Sequence, residues 1–195
     1  MKNENPIDVF KTWLAQAERS EINDPSAMAL ATATKDGKPS VRMVLLKSID
    51  GRGFKFHTNA DSQKGQEMLA NPYVSLCFHW KSLRKQVRIE GVIEEISAEE
   101  ADAYFADRPY NRQIGAWASD QSRPLENRET LEERITAFED KFAEDAIPRP
   151  PNWKGYIVRP YKIELWFDNP DRLHDRFIYE RDDSDTWGAG QRLYP

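Results

Sequence analysis

Near the C-terminus the chain reads Arg172-Leu173-His174-Asp175-Arg176. Two guanidinium groups and an imidazole recur at every second residue. A guanidinium is a planar fork of donors that matches phosphate. An imidazole is the side chain that changes charge near neutral pH. The run lies between Lys162-Ile163-Glu164-Leu165-Trp166-Phe167 and Phe177-Ile178-Tyr179, whose aromatic and branched residues favour strands. Alternation along a strand would put Arg172, His174 and Arg176 on one face. Like charges in a row repel, so an anion is expected there. The competing local reading is a solvated face paired with Asp171, Asp175 or Glu180.

Other cations stand where they need a reason. Arg42-Met43-Val44-Leu45-Leu46-Lys47 places two in an apolar segment, and a buried charge without a partner is costly. Their odd separation sends them to opposite faces of a regular strand, toward different anions or different walls of one pocket, unless both reach solvent at strand ends. Ser62-Gln63-Lys64-Gly65 reads as a helix start, where free amides favour phosphate or are simply capped. Gln86, Arg88 and Glu90 share a strand face. Gln86 both donates and accepts, which suits the edge of a heterocycle; an Arg–Glu pair facing water is the alternative. Tyr104 and Arg108 are four residues apart at a helix end, hence on one side, with a capping Arg as the alternative. Gln121-Ser122 lies in a polar loop and carries no meaning by itself.

The elements that must position these groups follow from periodicity and turn residues. Residues 6 to 21 read as a helix, with Val9, Phe10, Trp13, Leu14 and Ala17 at helical spacing. Strands are expected over 27–34, 40–49 and 54–58, joined by Lys35-Asp36-Gly37 and Asp50-Gly51-Arg52-Gly53. Ser62 caps a helix through Leu69, and strands follow over 73–80 and 86–96. Ser97-Ala98-Glu99-Glu100 is a capping box opening a helix through Phe105. A short helix is expected over 113–119. A charged helix over 125–144 carries the stripe Leu131, Ile135, Phe138, Phe142. Pro-rich residues 147–151 are a stiff connector, and the last forty residues return to strands. About six to eight strands with interspersed helices predict a barrel-like sheet with helices around it.

The bulk composition excludes several functions. With 195 residues the chain can bury a real core. Its net charge of -5 argues against a general nucleic-acid binder while leaving room for a local cationic pocket. No stretch approaches membrane-spanning length, the N-terminus lacks a signal-peptide core, and a cytoplasmic protein is expected. Cys77 is the single cysteine; within Val74-Ser75-Leu76-Cys77-Phe78 it is expected to be buried and inert. One cysteine with scattered His57, His79 and His174 cannot build a zinc cage, so no metal is expected. Neither a G-x-G-x-x-G turn nor a G-x-S-x-G elbow occurs.

Taken in order, these segments resemble the pyridoxine (pyridoxamine) 5'-phosphate oxidase family from about Trp13 to Pro195. The resemblance rests on Arg42 to Lys47, Gln86-Val87-Arg88-Ile89-Glu90-Gly91, Arg108-Pro109, Gln113-Ile114-Gly115-Ala116-Trp117, Gln121-Ser122, Ile163-Glu164-Leu165-Trp166, Arg172 to Arg176 and Arg192-Leu193-Tyr194-Pro195. Each piece is weak alone; the ordered set is specific. It implies a mainly β fold with surrounding helices, the FMN-binding split β-barrel. One domain over 1–195 is expected, with its N-terminal helix at about 6–21 and C-terminal dimerisation and active-site strands at about 153–195. It implies a homodimer with FMN at the interface. The implied reaction oxidises pyridoxine or pyridoxamine 5'-phosphate to pyridoxal 5'-phosphate, with O2 as acceptor and H2O2 as product.

By the same resemblance FMN would meet Arg42, Met43, Val44, Leu45, Leu46, Lys47, His57, Thr58, Gln63, Lys64, Gln86, Gln121, Ser122, Trp166 and Arg176. The substrate phosphate would meet Lys47, Tyr104 and Arg108, and the pyridine end Arg172, Leu173 and His174. Gln63 stands where the family usually has Arg, which implies weaker flavin-phosphate binding. Arg112 stands where a Ser usually helps hold the substrate phosphate, adding a charge or crowding the site. The N-terminus is short beside members whose basic segment covers the site, so looser enclosure of substrate is expected. The alternatives are a related oxidase of the phenazine-pathway type and a non-catalytic flavin or pyridoxal-phosphate binder.

Overall fold

Asn5 accepts a hydrogen bond from the Ile7 amide, and Pro6 opens helix α1 (Pro6–Ser20), whose Phe10, Trp13 and Ala17 are buried. Pro at the first helical position loses no intrahelical bond, because that amide has no partner anyway. Strands β1 (Ala27–Ala33), β2 (Pro39–Leu45), β3 (Ser48–Ile49) and β4 (Phe54–Asn59) follow. Then come α2 (Gln63–Ala70), β5 (Tyr73–Trp80), β6 (Lys85–Glu95), α3 (Ala98–Ala106), α4 (Tyr110–Ala118) and α5 (Arg128–Lys141). The chain closes with β7 (Trp153–Phe167), a single 3-10 turn at Pro170–Arg172, β8 (Asp175–Glu180) and β9 (Gln191–Leu193). The computed structural model describes residues 1–143, 145–182 and 184–195.

Among the described residues the strands form one antiparallel sheet in the order β2-β1-β5-β6-β7-β4-β3, with β8 on β7 and β9 on β8. Strand β7 is the spine. It pairs with β6 along its length, with β4 through Trp153–Val158 and with β8 through Lys162–Phe167. The sheet therefore forks near Pro160, opposite Gly91, where the β6–β7 register also shifts. The other end curls over: the Lys47 amide donates to the Lys55 carbonyl at 2.8 Å, bringing the end of β2 onto β4. The result is a half-barrel. Its inner face is lined by Met28, Leu30, Phe54, Phe56, Leu76, Phe78, Val87, Ile89, Val158, Ile163 and Leu165. Phe10 of α1 plugs it, edge-on to Phe54 at 5.0 Å and to Phe78 at 4.8 Å.

Several expectations change. The strand read over 40–49 is two strands broken at Leu46-Lys47, where the chain bends onto β4, so alternation does not extend to Lys47. Ser97 caps α3 through the Glu100 amide, but the Glu100 carboxylate turns to Arg52 and Lys55 instead of closing the capping box. The charged helix is shorter than 125–144, and Glu144 lies outside the described residues. Cys77 is half-buried rather than buried, and burial raises its thiol pKa. Arg172, His174 and Arg176 do not share a strand face. Strand β7 ends at Phe167, and Asp171 and Arg172 are left-handed, with φ of 57° and 61°. Proline at 170 cannot extend the ladder, and only Arg176 lies on β8.

Candidate active site

Four cations gather in one cleft of about 710 Å³: Lys47, Lys64, Arg108 and Arg112. Its walls include Met43, Val44, Leu45, His57, Thr58, Tyr104, Gln121 and Trp153, with Asp107 the only carboxylate among them. In a chain of net charge -5 this is a marked local reversal. The volume suits a cofactor or small ligand.

Lys64 is the most constrained of the four. Ser62 caps α2 through the Gly65 amide. A Cβ at Gly65 would stand 2.1 Å from the Ala60 carbonyl oxygen, so glycine lets the first turn seat against that loop. This seating buries the Lys64 ammonium, which donates to Thr58 Oγ1 (3.1 Å), Ser62 Oγ (3.0 Å) and Gln121 Oε1 (2.6 Å). All three acceptors are neutral. Burial, then the charge of Arg42, lowers the lysine to about 8. A buried cation without a counter-ion is expensive, and a phosphate at this position would neutralise it.

Lys47 is lowered first by burial and then by Arg112 and Arg108, a sign that these three cations share one field. Tyr104 and Arg108 line the same wall although α3 ends at Ala106, and the Arg108 guanidinium lies 4.7 Å over the Trp153 ring. Thr58 and Gln121 hold Lys64 as described, and Ser122, exposed at φ 71°, follows in the loop.

Three residues expected beside the flavin, Arg42, Leu46 and Gln63, do not line the cleft. Arg42 donates to the Leu30 carbonyl (3.2 Å) and pairs with Glu67 at 3.3 Å. Gln63 donates its amide to Glu67 at 2.9 Å. Burial alone would raise Glu67; hydrogen bonds from Ser40, Thr32 and Gln63 and the charge of Arg42 outweigh it and hold the carboxyl down to about 2. Leu46 is buried in the core.

A second group lies elsewhere. Gln86, Trp166 and Arg176 are neighbours in register across β6, β7 and β8. The His174 ring sits 4.7 Å from that of Trp166, its Nδ1 lies 2.9 Å from the Asp168 carboxylate, and its Nε2 makes no hydrogen bond among the described residues. Arg176 is clamped by buried Glu164, donating from Nε at 3.2 Å and Nη2 at 2.9 Å; Arg88 donates to the same carboxylate. Arg172 and Leu173 are exposed on the turn, and Arg172 makes no hydrogen bond or ion pair among the described residues. None of Gln86, Trp166, Arg172, Leu173, His174 and Arg176 lines the cleft. Within one chain the expected residues therefore fall into two separate groups.

Sequence reasoning missed the two carboxylates that hold the guanidinia, Glu67 and Glu164, and the ring of Trp153. Glu164 could have been found: a lone carboxylate in Ile163-Glu164-Leu165-Trp166 demands a buried partner.

Residues 14–142 match the family model described as pyridoxamine 5'-phosphate oxidase, and residues 153–195 match that of the pyridoxine 5'-phosphate oxidase C-terminal dimerisation region. The chain is 58% identical over 191 residues to the pyridoxine/pyridoxamine 5'-phosphate oxidase of Gluconobacter oxydans, covering 98% of this chain and 94% of that one. It is 54% identical to that of Rhizobium meliloti, over 97% and 92%. Among solved structures it is similar to PhzG from Burkholderia lata 383 in complex with tetrahydrophenazine-1-carboxylic acid, with a TM-score of 0.91, 36% identity and 98% and 93% coverage. A pyridoxamine 5'-phosphate oxidase-related, FMN-binding protein from Nostoc punctiforme shares the fold at a TM-score of 0.79 and 17% identity, over 99% and 100%. The half-barrel is thus the split-barrel architecture of these proteins.

Proposed function

The chain belongs to the pyridoxamine 5'-phosphate oxidase family, and from that premise we propose that it oxidises pyridoxine 5'-phosphate and pyridoxamine 5'-phosphate to pyridoxal 5'-phosphate with FMN. The observation that carries this reading is Lys64, a buried ammonium held by neutral oxygens beside three further cations. A donor set of this kind fits a flavin phosphate at Lys64, Thr58 and Gln121. Lys47, Arg108, Arg112 and the Tyr104 hydroxyl remain for a second phosphate, that of the substrate.

When bound, FMN supplies the two-electron acceptor for oxidation at the substrate C4' carbon and passes the electrons to O2, giving H2O2. The chain's own residues bind and orient. Phosphate anchoring by Lys47 and Arg108 converts a loose encounter into a fixed approach, lowering the entropic part of the barrier. Arg172 and His174 orient the pyridine ring; Arg176, held by Glu164, and Gln86 and Trp166 contribute to the flavin.

The reading includes a homodimer, in which the two groups of residues are half-sites that complete each other across the interface. Val41 and Met43 on edge strand β2 are 67% and 63% exposed, and Leu45 continues their stripe beside Ala31, Ala29 and Ala27 of β1. An exposed apolar stripe of this kind marks an association surface. Met43 and Leu45 also line the cleft, so a partner that covers the stripe reaches the cleft rim. Its second half-site, on β6 and the strands matched by the dimerisation region, is then available to complete the pocket. The phenazine-type alternative is weaker, at 36% identity against 58%. A cytoplasmic location belongs to the same reading, with Cys77 as a lone thiol.

The test is anaerobic addition of pyridoxine 5'-phosphate to the FMN-reconstituted protein. Flavin bleaching, then recovery with release of pyridoxal 5'-phosphate in air, is expected. Persistent flavin absorbance with FMN bound would exclude this substrate.

A further inference from the structure

Strand β4 and helix α3 meet through two contacts in step. Lys55 and His57 are two residues apart on the strand, and Glu100 and Tyr104 are four apart on the helix. Two strand residues rise about 6.7 Å and four helical residues about 6 Å, so the spacings match. Lys55 pairs with Glu100, which also accepts from Arg52 at 2.9 Å. The His57 ring lies 4.1 Å from the Tyr104 ring with planes 8° apart. It lies 4.8 Å from Trp153, again nearly parallel at 7°. Tyr104 and Trp153 are 6.2 Å apart, too close for the imidazole to sit between them. It therefore lies across both from one side.

The backbone makes room for this arrangement. His57 is opposite Gly155 on β7, where a Cβ would stand 2.8 Å from the imidazole Cδ2. Both His57 ring nitrogens are buried without a hydrogen-bond partner among the described residues, so ring packing, not polar contact, defines its pose. Burial, then the charges of Lys47 and Arg108, lowers the imidazole to about 4, and it is neutral at physiological pH. A neutral flat ring adds no charge to a cleft already rich in cations.

We propose that His57 is a positioning residue for the substrate phosphate: it fixes the Tyr104 ring, and with it the phenolic hydroxyl, at the cationic wall formed by Lys47 and Arg108. This rests on the reading of the cleft as a site for phosphorylated vitamers. It gives the His57 side chain a task on the substrate side of the pocket, whereas family resemblance places this residue with the flavin.

The experiment compares dissociation constants for pyridoxal 5'-phosphate and for pyridoxal on FMN-loaded protein, with flavin content measured alongside. The wild type is expected to prefer the phosphorylated ligand. His57→Ala is expected to reduce that preference about fivefold, the size of an aromatic pair contact, while His57→Phe preserves it. His57→Leu carries the same expectation as His57→Ala should the latter fail to fold. Combined with Tyr104→Phe, His57→Ala is expected to cost less than the product of the two single losses. An unchanged preference in the folded Ala or Leu variant, or losses that multiply in full, would overturn the proposal. A wild type with no preference for the phosphorylated ligand would instead overturn the substrate reading itself.

Discussion

Arg42 and Glu67 meet at 3.3 Å outside the lining of the cleft, with the Glu67 side chain 6% exposed. The first cation of the Arg42–Lys47 motif is thus neutralised from inside the protein. Lys64 is left as the buried cation whose charge no carboxylate balances among the described residues.

Removing the Glu67 charge would strand the guanidinium. Glu67→Gln is expected to lower stability by about 3 kcal/mol at neutral pH, the scale for breaking a buried pair, read from the urea midpoint. Because the folded pKa is depressed to about 2, this contribution is present above the ordinary carboxylate range and is lost as pH falls toward 2. An unchanged midpoint at pH 7 would mean that Arg42 finds another partner.

On the proposed reading, Lys64 makes flavin binding depend on pH. Free, it titrates at about 8; a bound phosphate dianion raises that value, so binding takes up a proton above pH 8. FMN affinity, followed by quenching of flavin fluorescence, is expected to be level between about pH 7 and 8, where the phosphate is a dianion, and to fall above it. Lys64→Met should weaken binding roughly 50-fold and flatten the profile. A profile that survives in the Met variant would assign the titration elsewhere.

On the proposed reading, the three remaining cations of the cleft serve the substrate phosphate. Lys47→Ala and Arg108→Ala are each expected to raise KM about tenfold with smaller effects on kcat, since each removes a contact made alike in ground and transition states. Arg112→Ser, which restores the residue usual in the family, should raise KM less, because Arg112 is exposed. Unchanged KM in all three would contradict the phosphate assignment.

Arg172 sits on a left-handed turn with no partner among the described residues. A strained backbone that presents an unpaired guanidinium fits a residue whose partner arrives with the ligand. Arg172→Ala is expected to lower turnover while flavin content stays near that of the wild type. Loss of flavin without a separate turnover defect would assign Arg172 to the cofactor.

Much of this was legible from local pattern. The helix over Pro6–Ser20, the Ser62 and Ser97 caps and the strands that flank them follow from periodicity and capping residues. The turn at Pro170–Arg172 was not, because the branched and aromatic residues around it predict continuous strand while one proline and a left-handed Asp171 interrupt it. The partner of Arg42 was not legible either, and although Glu164 calls for a buried partner, nothing local identifies that partner as Arg176. Glu67 and Glu164 lie on other elements, and only the packing of α2 on the sheet and the β7–β8 register bring them together. The separation of the expected residues into two groups is a property of the curled sheet that no linear pattern contains.

The most direct test of the account is a mixed dimer of Lys47→Glu and Arg172→Glu chains, both changes lying at exposed positions. Each parent is expected to be inactive. If the cleft of one protomer is completed by the turn of its partner, the purified mixed dimer has one intact site and one doubly altered site, and should show about half the wild-type activity. A mixed dimer as inactive as its parents would contradict the account, because it would place Lys47 and Arg172 of the same chain in one site.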